Sequence, residues 1–319
     1  KFLRRVQHIA SVSIQEVLGC YNKKAAEALD AADKEEAKKA KAEGRKAKKD
    51  LMALPKDVFL PLLRKAKKLG NISETQCAMM LMFILHSREK RHDGESYIKH
   101  PVAVAKLVAH FGGKFLDNDE EDIWRATIAA LLHDAWEENN INSIEEDLKG
   151  LLPLEIIDTV IALHKQEGET YFKYLQRVSG NRLAAVVKLC DLDNNTSDMD
   201  LAKNTGTSKQ AYVYTIAASY IKFRLDNPDQ DISVEEYVQQ ENICSSEQFQ
   251  QINDIAESKA IIDENGKEIQ ALKKMPFNDN KFKDLQPILS GVKSAKDILE
   301  KDKSTDANPR REKDASLHL

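Results

Sequence analysis

The chain has 319 residues, room for one large domain or two modest ones. Hydrophobic residues make up 42%, enough for a packed core and too many for a wholly disordered chain. The 48 basic residues nearly balance 52 acidic ones, for a net charge of −4, which argues against a generally basic nucleic-acid binder but leaves room for a local basic pocket.

Only 12 Gly and 8 Pro punctuate the chain, which disfavours a turn-dense β protein and favours helices. The start, Lys1-Phe2-Leu3-Arg4-Arg5, runs into a mixed segment, so no secretory signal is expected. Residues 21–50 are dominated by Ala, Lys and Glu, all strong helix formers. Asp30–Lys34 and Glu35–Lys39 stand at i,i+4 with the acid first, the favourable order on a helix surface. Large apolar residues are nearly absent from Ala31 to Asp50, so the segment reads as a solvated helical arm.

Helix-period apolar spacing is concentrated in residues 54–225. Pro55 opens a predicted helix holding Val58, Leu62, Leu63 and Ala66, stopped by Gly70-Asn71. Ser73 and Gln76 form a capping-box pattern before the apolar run Cys77 to Leu85. Further helices are expected from Pro101 to Val108, Ile123 to Trp136, Glu155 to His164, Leu183 to Leu189 and Tyr212 to Phe223. The fold class is therefore an all-α bundle. The expected division is a charged helical extension at 1–53, the main domain at 54–228, a helical extension at 229–300 and a disordered tail at 301–319. The four cysteines are far apart and form no C-x-x-C pair, which reads as reduced thiols in a cytoplasmic protein. No apolar run reaches the roughly 18 residues of a membrane span.

Three elements carry chemistry. Five of the eight histidines lie between His86 and His133, which prompts a search for metal ligands. The sharpest element is His133-Asp134 in the apolar segment Ala129 to Leu132, because a charge there is costly unless paired or metal-bound. On a continuous helix His133 and Glu137 would be i,i+4, and Asp134 and Glu137 i,i+3. The second element is Asp191-Leu192-Asp193-Asn194-Asn195, read as a carboxylate cluster where a buried helix exits. The third is Arg91 to Pro101, with Gly94 for a tight turn and with Arg91, His92 and Lys99 as positive charge for phosphates.

Together, in this order, the three elements resemble the HD superfamily of metal-dependent phosphohydrolases, and most of all its RelA/SpoT-type alarmone hydrolases. The family's Arg-x-x-Gly-Glu-x-Tyr-x-x-His-Pro loop stands here as Arg91 to Pro101. Its Ala-x-Leu-Leu-His-Asp stands as Ala129 to Asp134, and its acidic pair as Glu137-Glu138. Its Val-Lys-Leu-x-Asp with a following Asn stands as Val187 to Asp191 and Asn195. Glu167 to Tyr171 and Arg177-Val178 also resemble short stand-alone HD proteins.

The resemblance covers roughly residues 76–200 and makes 54–228 an HD hydrolase domain. It implies metal ligation by His100, His133, Asp134 and Asp191 of one divalent ion, manganese by the family's preference. It implies that Glu137 and Glu138 position or deprotonate water and that Asn195 sits near metal and nucleotide. Arg91 would pack on a purine beside Tyr97, with His92 and Lys188 as further substrate contacts. The implied substrate is a nucleotide, such as guanosine tetraphosphate losing its 3′-pyrophosphate. No membrane partner or general nucleic-acid binding is expected, and an oligomer is compatible with the sequence. Alternatives are another nucleotide or phosphoester, or an inactive nucleotide-sensing or partner-binding module. Glu138 replaces the family's Asp, and Leu192-Asp193-Asn194 lacks its usual Arg and His. Roughly 90 residues follow Pro228 without a strand-rich pattern, so hydrolysis without synthesis is expected.

Overall fold

The computed structural model describes residues 54, 56–86, 89, 96–136, 141–197, 205–265 and 295–300. The predicted arm at 21–50 and the tail at 301–319 lie outside them. The described chain is helical, with no strand among the described residues. In chain order the α-helices are α1 (Lys56–Lys68), α2 (Glu74–His86), α3 (Lys99–Phe111), α4 (Glu120–Leu132), α5 (Ile141–Leu148) and α6 (Leu154–Leu163). They continue as α7 (Tyr171–Ser179), α8 (Arg182–Ser197), α9 (Thr205–Asp226), α10 (Val234–Gln240), α11 (Ser246–Asn265) and α12 (Ala295–Glu300). No helix among the described residues is long and apolar enough to cross a membrane.

The described residues fall into two compact units. One holds those up to Lys106 together with Thr127–Ile161, the other Leu107–Ala126 and the residues from Ala162 onward.

In the first unit, α1 buries Phe59, Leu60, Leu63 and Ala66, whereas Val58, expected inside, is 43% exposed. Leu63 and Ala66 are buried as expected, and Phe59 and Leu60 are buried in the first turns because they offer more surface than Val58. The Ser73 capping box forms as expected: Ser73 N donates to Gln76 Oε1 at 2.8 Å and Gln76 N to Ser73 Oγ at 3.3 Å. Helix α2 buries Cys77 through Met82 without a break, the mark of a helix surrounded by protein.

Helix α5 ends with carbonyls that lack helical partners. Arg64 satisfies them, donating from Nη2 to Glu146 O at 2.5 Å and Asp147 O at 3.0 Å, and from Nε to Lys149 O at 3.1 Å. A cation is also favoured at that end by the helix dipole. Arg64→Ala is expected to cost about 1–2 kcal/mol. Thermal melts check this: a lowered midpoint with Arg64→Lys between the two is expected, and an unchanged midpoint for Arg64→Ala would contradict it.

In the second unit, Gly112–Lys114 form one 3-10 turn and Asp117 and Asn118 take left-handed backbone (φ 53° and 58°). Asn and Asp tolerate that region best among non-glycine residues. A Cβ on Gly113 would stand 2.7 Å from Asn118 Oδ1, so a larger residue there would push that side chain aside. Asp119 then caps α4 by accepting from Asp122 N at 2.9 Å. Helix α8 packs on α7, α9 and α12, and Ala184 to Val187, Leu189, Cys190 and Leu192 are fully buried.

Three cysteines, Cys77, Cys190 and Cys244, are free thiols. Burial pushes the Cys77 thiol up to about 12 and that of Cys244 to about 11, so both are poor nucleophiles.

Candidate metal centre

Helix α4 stops at Leu132, and residues 133–136 form a turn, so the continuous helix expected to Trp136 is shorter by four residues. His133 and Asp134 therefore lie in the turn, not on the helix. The stop has a local cause. His133 Nδ1 donates to Ala130 O at 2.8 Å and takes up a carbonyl at the helix end. His133 and Asp134 are thus delivered from the end of an entirely buried segment, Ala126 to Leu132 with Thr127 among it. His100 stands in the first turn of α3, one residue inside it rather than just before it.

These three side chains meet. His100 Nε2 lies 3.1 Å from His133 Nε2 and 3.2 Å from Asp134 Oδ2, and His133 Nε2 lies 3.0 Å from the same oxygen. One ligand atom from each lies within 4.8 Å of the others. Both imidazoles are buried, and Asp134 keeps 20% of its side chain exposed. Burial alone would raise the Asp134 pKa. His133 and His100 outweigh it and hold the carboxyl well below the usual range.

The protonation pattern tests whether a metal suits this cluster. A carbonyl only accepts, so the bond to Ala130 O makes His133 Nδ1 the protonated nitrogen. In neutral His133 the Nε2 lone pair then faces a carboxylate oxygen at 3.0 Å. That approach is repulsive unless a proton or a metal ion lies between the two atoms. Two imidazole nitrogens and a carboxylate oxygen are an apt donor set for a divalent first-row ion. The Nδ1 bond is the kind of outer contact that fixes the tautomer of a ligating histidine. The residues present fit a metal.

Tyr97 was expected as a nucleotide wall. Its hydroxyl donates to Asp134 Oδ2 at 2.6 Å, which makes it a positioning residue for the carboxylate. Sequence reasoning did not single out His86. Its ring packs on Tyr97 at 4.8 Å, Tyr97 on His100 at 5.7 Å, and His100 on His133 at 5.0 Å, a continuous row of rings. Glu89 Oε2 lies 2.6 Å from His86 Nδ1. The only hint of this row in the sequence was the crowding of histidines between His86 and His133.

Removing the Tyr97 hydroxyl leaves the ring row intact. Tyr97→Phe is expected to weaken metal affinity by roughly 10-fold, the effect typical of an outer-shell partner. A metal titration of the purified variant checks this, and an affinity equal to wild type would refute it.

Asp191, Asn195 and Lys188 belong to the second unit. The helix expected to end at the Asp-Asn cluster continues to Ser197. It continues because the polar side chains bond one another along one face instead of competing for the backbone. Lys188 Nζ donates to Asp191 Oδ2 at 2.7 Å, and Asn195 Nδ2 to Asp191 Oδ1 at 2.7 Å. Burial works against the Lys188 charge, but Asp191 outweighs it and raises the ammonium pKa well above its ordinary value. Lys188 also stands 5.6 Å from the centre of the Tyr174 ring. Arg91, His92, Glu137 and Glu138 lie outside the described residues.

No protein-family model matches the chain. Among curated proteins, the probable guanosine-3′,5′-bis(diphosphate) 3′-pyrophosphohydrolase of Synechocystis is 32% identical over 39% of this chain and 16% of its own length. The protein of that same activity name from Borreliella burgdorferi is 33% identical over 38% of this chain and 18% of its own length. The matching stretch is RelA/SpoT-like. The probable GTP pyrophosphokinase of Mycobacterium leprae is also similar, 29% identical over 41% of this chain and 16% of its own. The chain therefore spans about one sixth of the length of the RelA/SpoT relatives it matches.

Proposed function

We propose that this chain is a metal-dependent pyrophosphohydrolase that removes the 3′-pyrophosphate of guanosine-3′,5′-bis(diphosphate) or its pentaphosphate. The observation that carries the reading is the convergence of His100, His133 and Asp134 on one point. Relatives named for that hydrolysis support the substrate class. Residues 54–228 are the proposed hydrolase domain.

The proposed metal is manganese, held by His100, His133 and Asp134, with Asp191 a fourth ligand on the strength of the motif match. A bound divalent ion supplies a lowered water pKa and polarisation of a phosphoryl oxygen. The protein groups do the rest. Tyr97 holds Asp134 in place, and the Ala130 carbonyl holds His133 in the tautomer that presents Nε2. Glu137 or Glu138 takes the proton from the attacking water, and Asn195 steadies Asp191. Arg91, His92 and Lys188 meet the charge of the nucleotide phosphates. Water is consumed, and GDP or GTP is released with pyrophosphate.

The test is turnover of guanosine tetraphosphate with manganese, with EDTA, and beside a panel of other nucleotides. GDP and pyrophosphate, lost with EDTA, are the expected products. Turnover of a different nucleotide alone would replace the substrate and keep the metal site. No turnover of any compound would move the reading to a nucleotide-sensing module. A parallel incubation of GTP with ATP tests the chain for synthesis.

A further inference from the structure

In the second unit, a cleft of about 470 Å3 is bordered by Lys173, Gln176, Arg177, Gly180, Arg224 and Asp231, none of them assigned to the metal centre or to substrate above. Its volume falls within the roughly 300–1,000 Å3 usual for small-molecule sites. Three of the six residues are cationic and one is acidic.

Arg224 is the informative one. Its side chain is 5% exposed. Nε donates to Ser179 Oγ at 3.3 Å, and Nη2 stands 3.3 Å from Asp231 Oδ1. Nη1 has no hydrogen-bond partner among the described residues. A guanidinium presents five donors in a fixed fork, and leaving one unpaired in a buried place is costly. Its acidic neighbour Asp231 is weakly committed, because that side chain is 75% exposed and such pairs contribute little.

The surroundings favour an anion. Arg177 is already neutralised by Glu169. Lys173 is exposed at the rim. The carbonyls at the end of α7, which would repel an anion, are covered: Ser179 Oγ donates to Gln176 O at 2.7 Å, and Gly180 N to Arg177 O at 3.1 Å. The loop that carries Asp231 is fastened beside it, since Tyr220 Oη donates to Ile232 O at 2.7 Å. Asp231 can therefore swing off Arg224 without the backbone having to move.

We propose that this cleft is an anion site that takes the phosphate group of a small phosphorylated molecule. Arg224 and Lys173 hold the oxyanion. Asp231 is the internal carboxylate that the ligand displaces.

The experiment titrates the full chain in EDTA with inorganic phosphate, pyrophosphate and GMP, followed by calorimetry and 31P line width. EDTA strips the metal centre, so the outcome is independent of the hydrolase reading. Saturable binding is expected, tighter for GMP than for phosphate if a nucleoside phosphate is the natural occupant. Lys173→Glu should weaken it by about tenfold or more, the loss of one charge-assisted contact with a repulsion added. Asp231→Asn should tighten it. Arg224→Lys keeps the charge, loses the fork and should weaken it. Because Arg224 is buried, the two exposed variants carry the test if Arg224→Lys does not fold. Unsaturable binding, equal affinity in Lys173→Glu and Asp231→Asn, or binding lost in Asp134→Asn but kept in Lys173→Glu would each overturn the proposal.

Discussion

Asp134→Asn is expected to lower metal affinity and pyrophosphate release by about 100-fold or more, with helical content unchanged. Loss of an outer partner costs roughly 10–100-fold, and loss of a ligand costs at least the upper end of that range. The amide keeps the shape of the carboxyl but not its charge. Oδ2 is the atom on which the cluster turns, since Tyr97 Oη, His100 Nε2 and His133 Nε2 all lie within 3.2 Å of it. With the charge gone, the cluster of His100 and His133 is left without its carboxylate, and a dication is held far less tightly. Metal content after dialysis, initial rates and circular dichroism check the three parts separately. Near-normal turnover with normal metal content would sink the ligand assignment. Loss of turnover with metal content unchanged would move Asp134 from ligand to proton carrier.

The helices were legible because their signals are local. The Ser73 capping box, the unbroken apolar run of α2 and the Pro101 first turn each need only a few neighbouring residues to be read. The ends of helices were less legible. Helix α4 stops at Leu132 because a histidine side chain turns back on Ala130 O, a choice that spacing does not record. Helix α8 runs past Asp191 because Lys188 and Asn195 satisfy that carboxylate, so residues expected to stop the helix are held along its face instead.

The candidate metal centre was legible as a set of residue types in order, since His and Asp beside apolar segments ask for a partner. The role of Tyr97 was not. A tyrosine in a loop offers its ring and its hydroxyl alike, and only the distance to Asp134 decides between them. His86 was hidden by the strongly apolar helix it ends, where a lone histidine reads as filling.

Arg177→Ala is expected to destabilise the second unit by about 2–3 kcal/mol, a fall in Tm of roughly 5–10 °C. Arg177 forks onto Glu169, with Nε to Oε1 at 2.8 Å and Nη2 to Oε2 at 2.7 Å. The same guanidinium donates to Ala162 O at 2.9 Å and His164 O at 2.8 Å, near the end of α6. Tyr174 Oη covers Leu163 O between them. One side chain thus closes a helix end and pins residues 164–170 to α7. Removing it strands a carboxylate that is only 12% exposed together with two carbonyls. The figure is set below the range for a fully buried pair because Arg177 itself is 28% exposed. The sign of the pH dependence follows from Glu169. Burial raises its pKa, but Arg177 and the Gln166 amide outweigh that and hold it below its ordinary 4.5. The pair therefore contributes fully above pH 4.5 and is lost as pH falls through the lower folded value. In Arg177→Ala the lowering by Arg177 is gone and Glu169 titrates higher than in the wild type. The gap in Tm between wild type and variant should be widest near neutral pH and should narrow on acidification. Glu169→Gln separates the charge from the carbonyl contacts: it should remove the pH dependence while keeping part of the stability. Melts of the three proteins across that range test the whole scheme, and a gap that stays constant with pH would show that the carbonyls, not the ion pair, are what Arg177 holds.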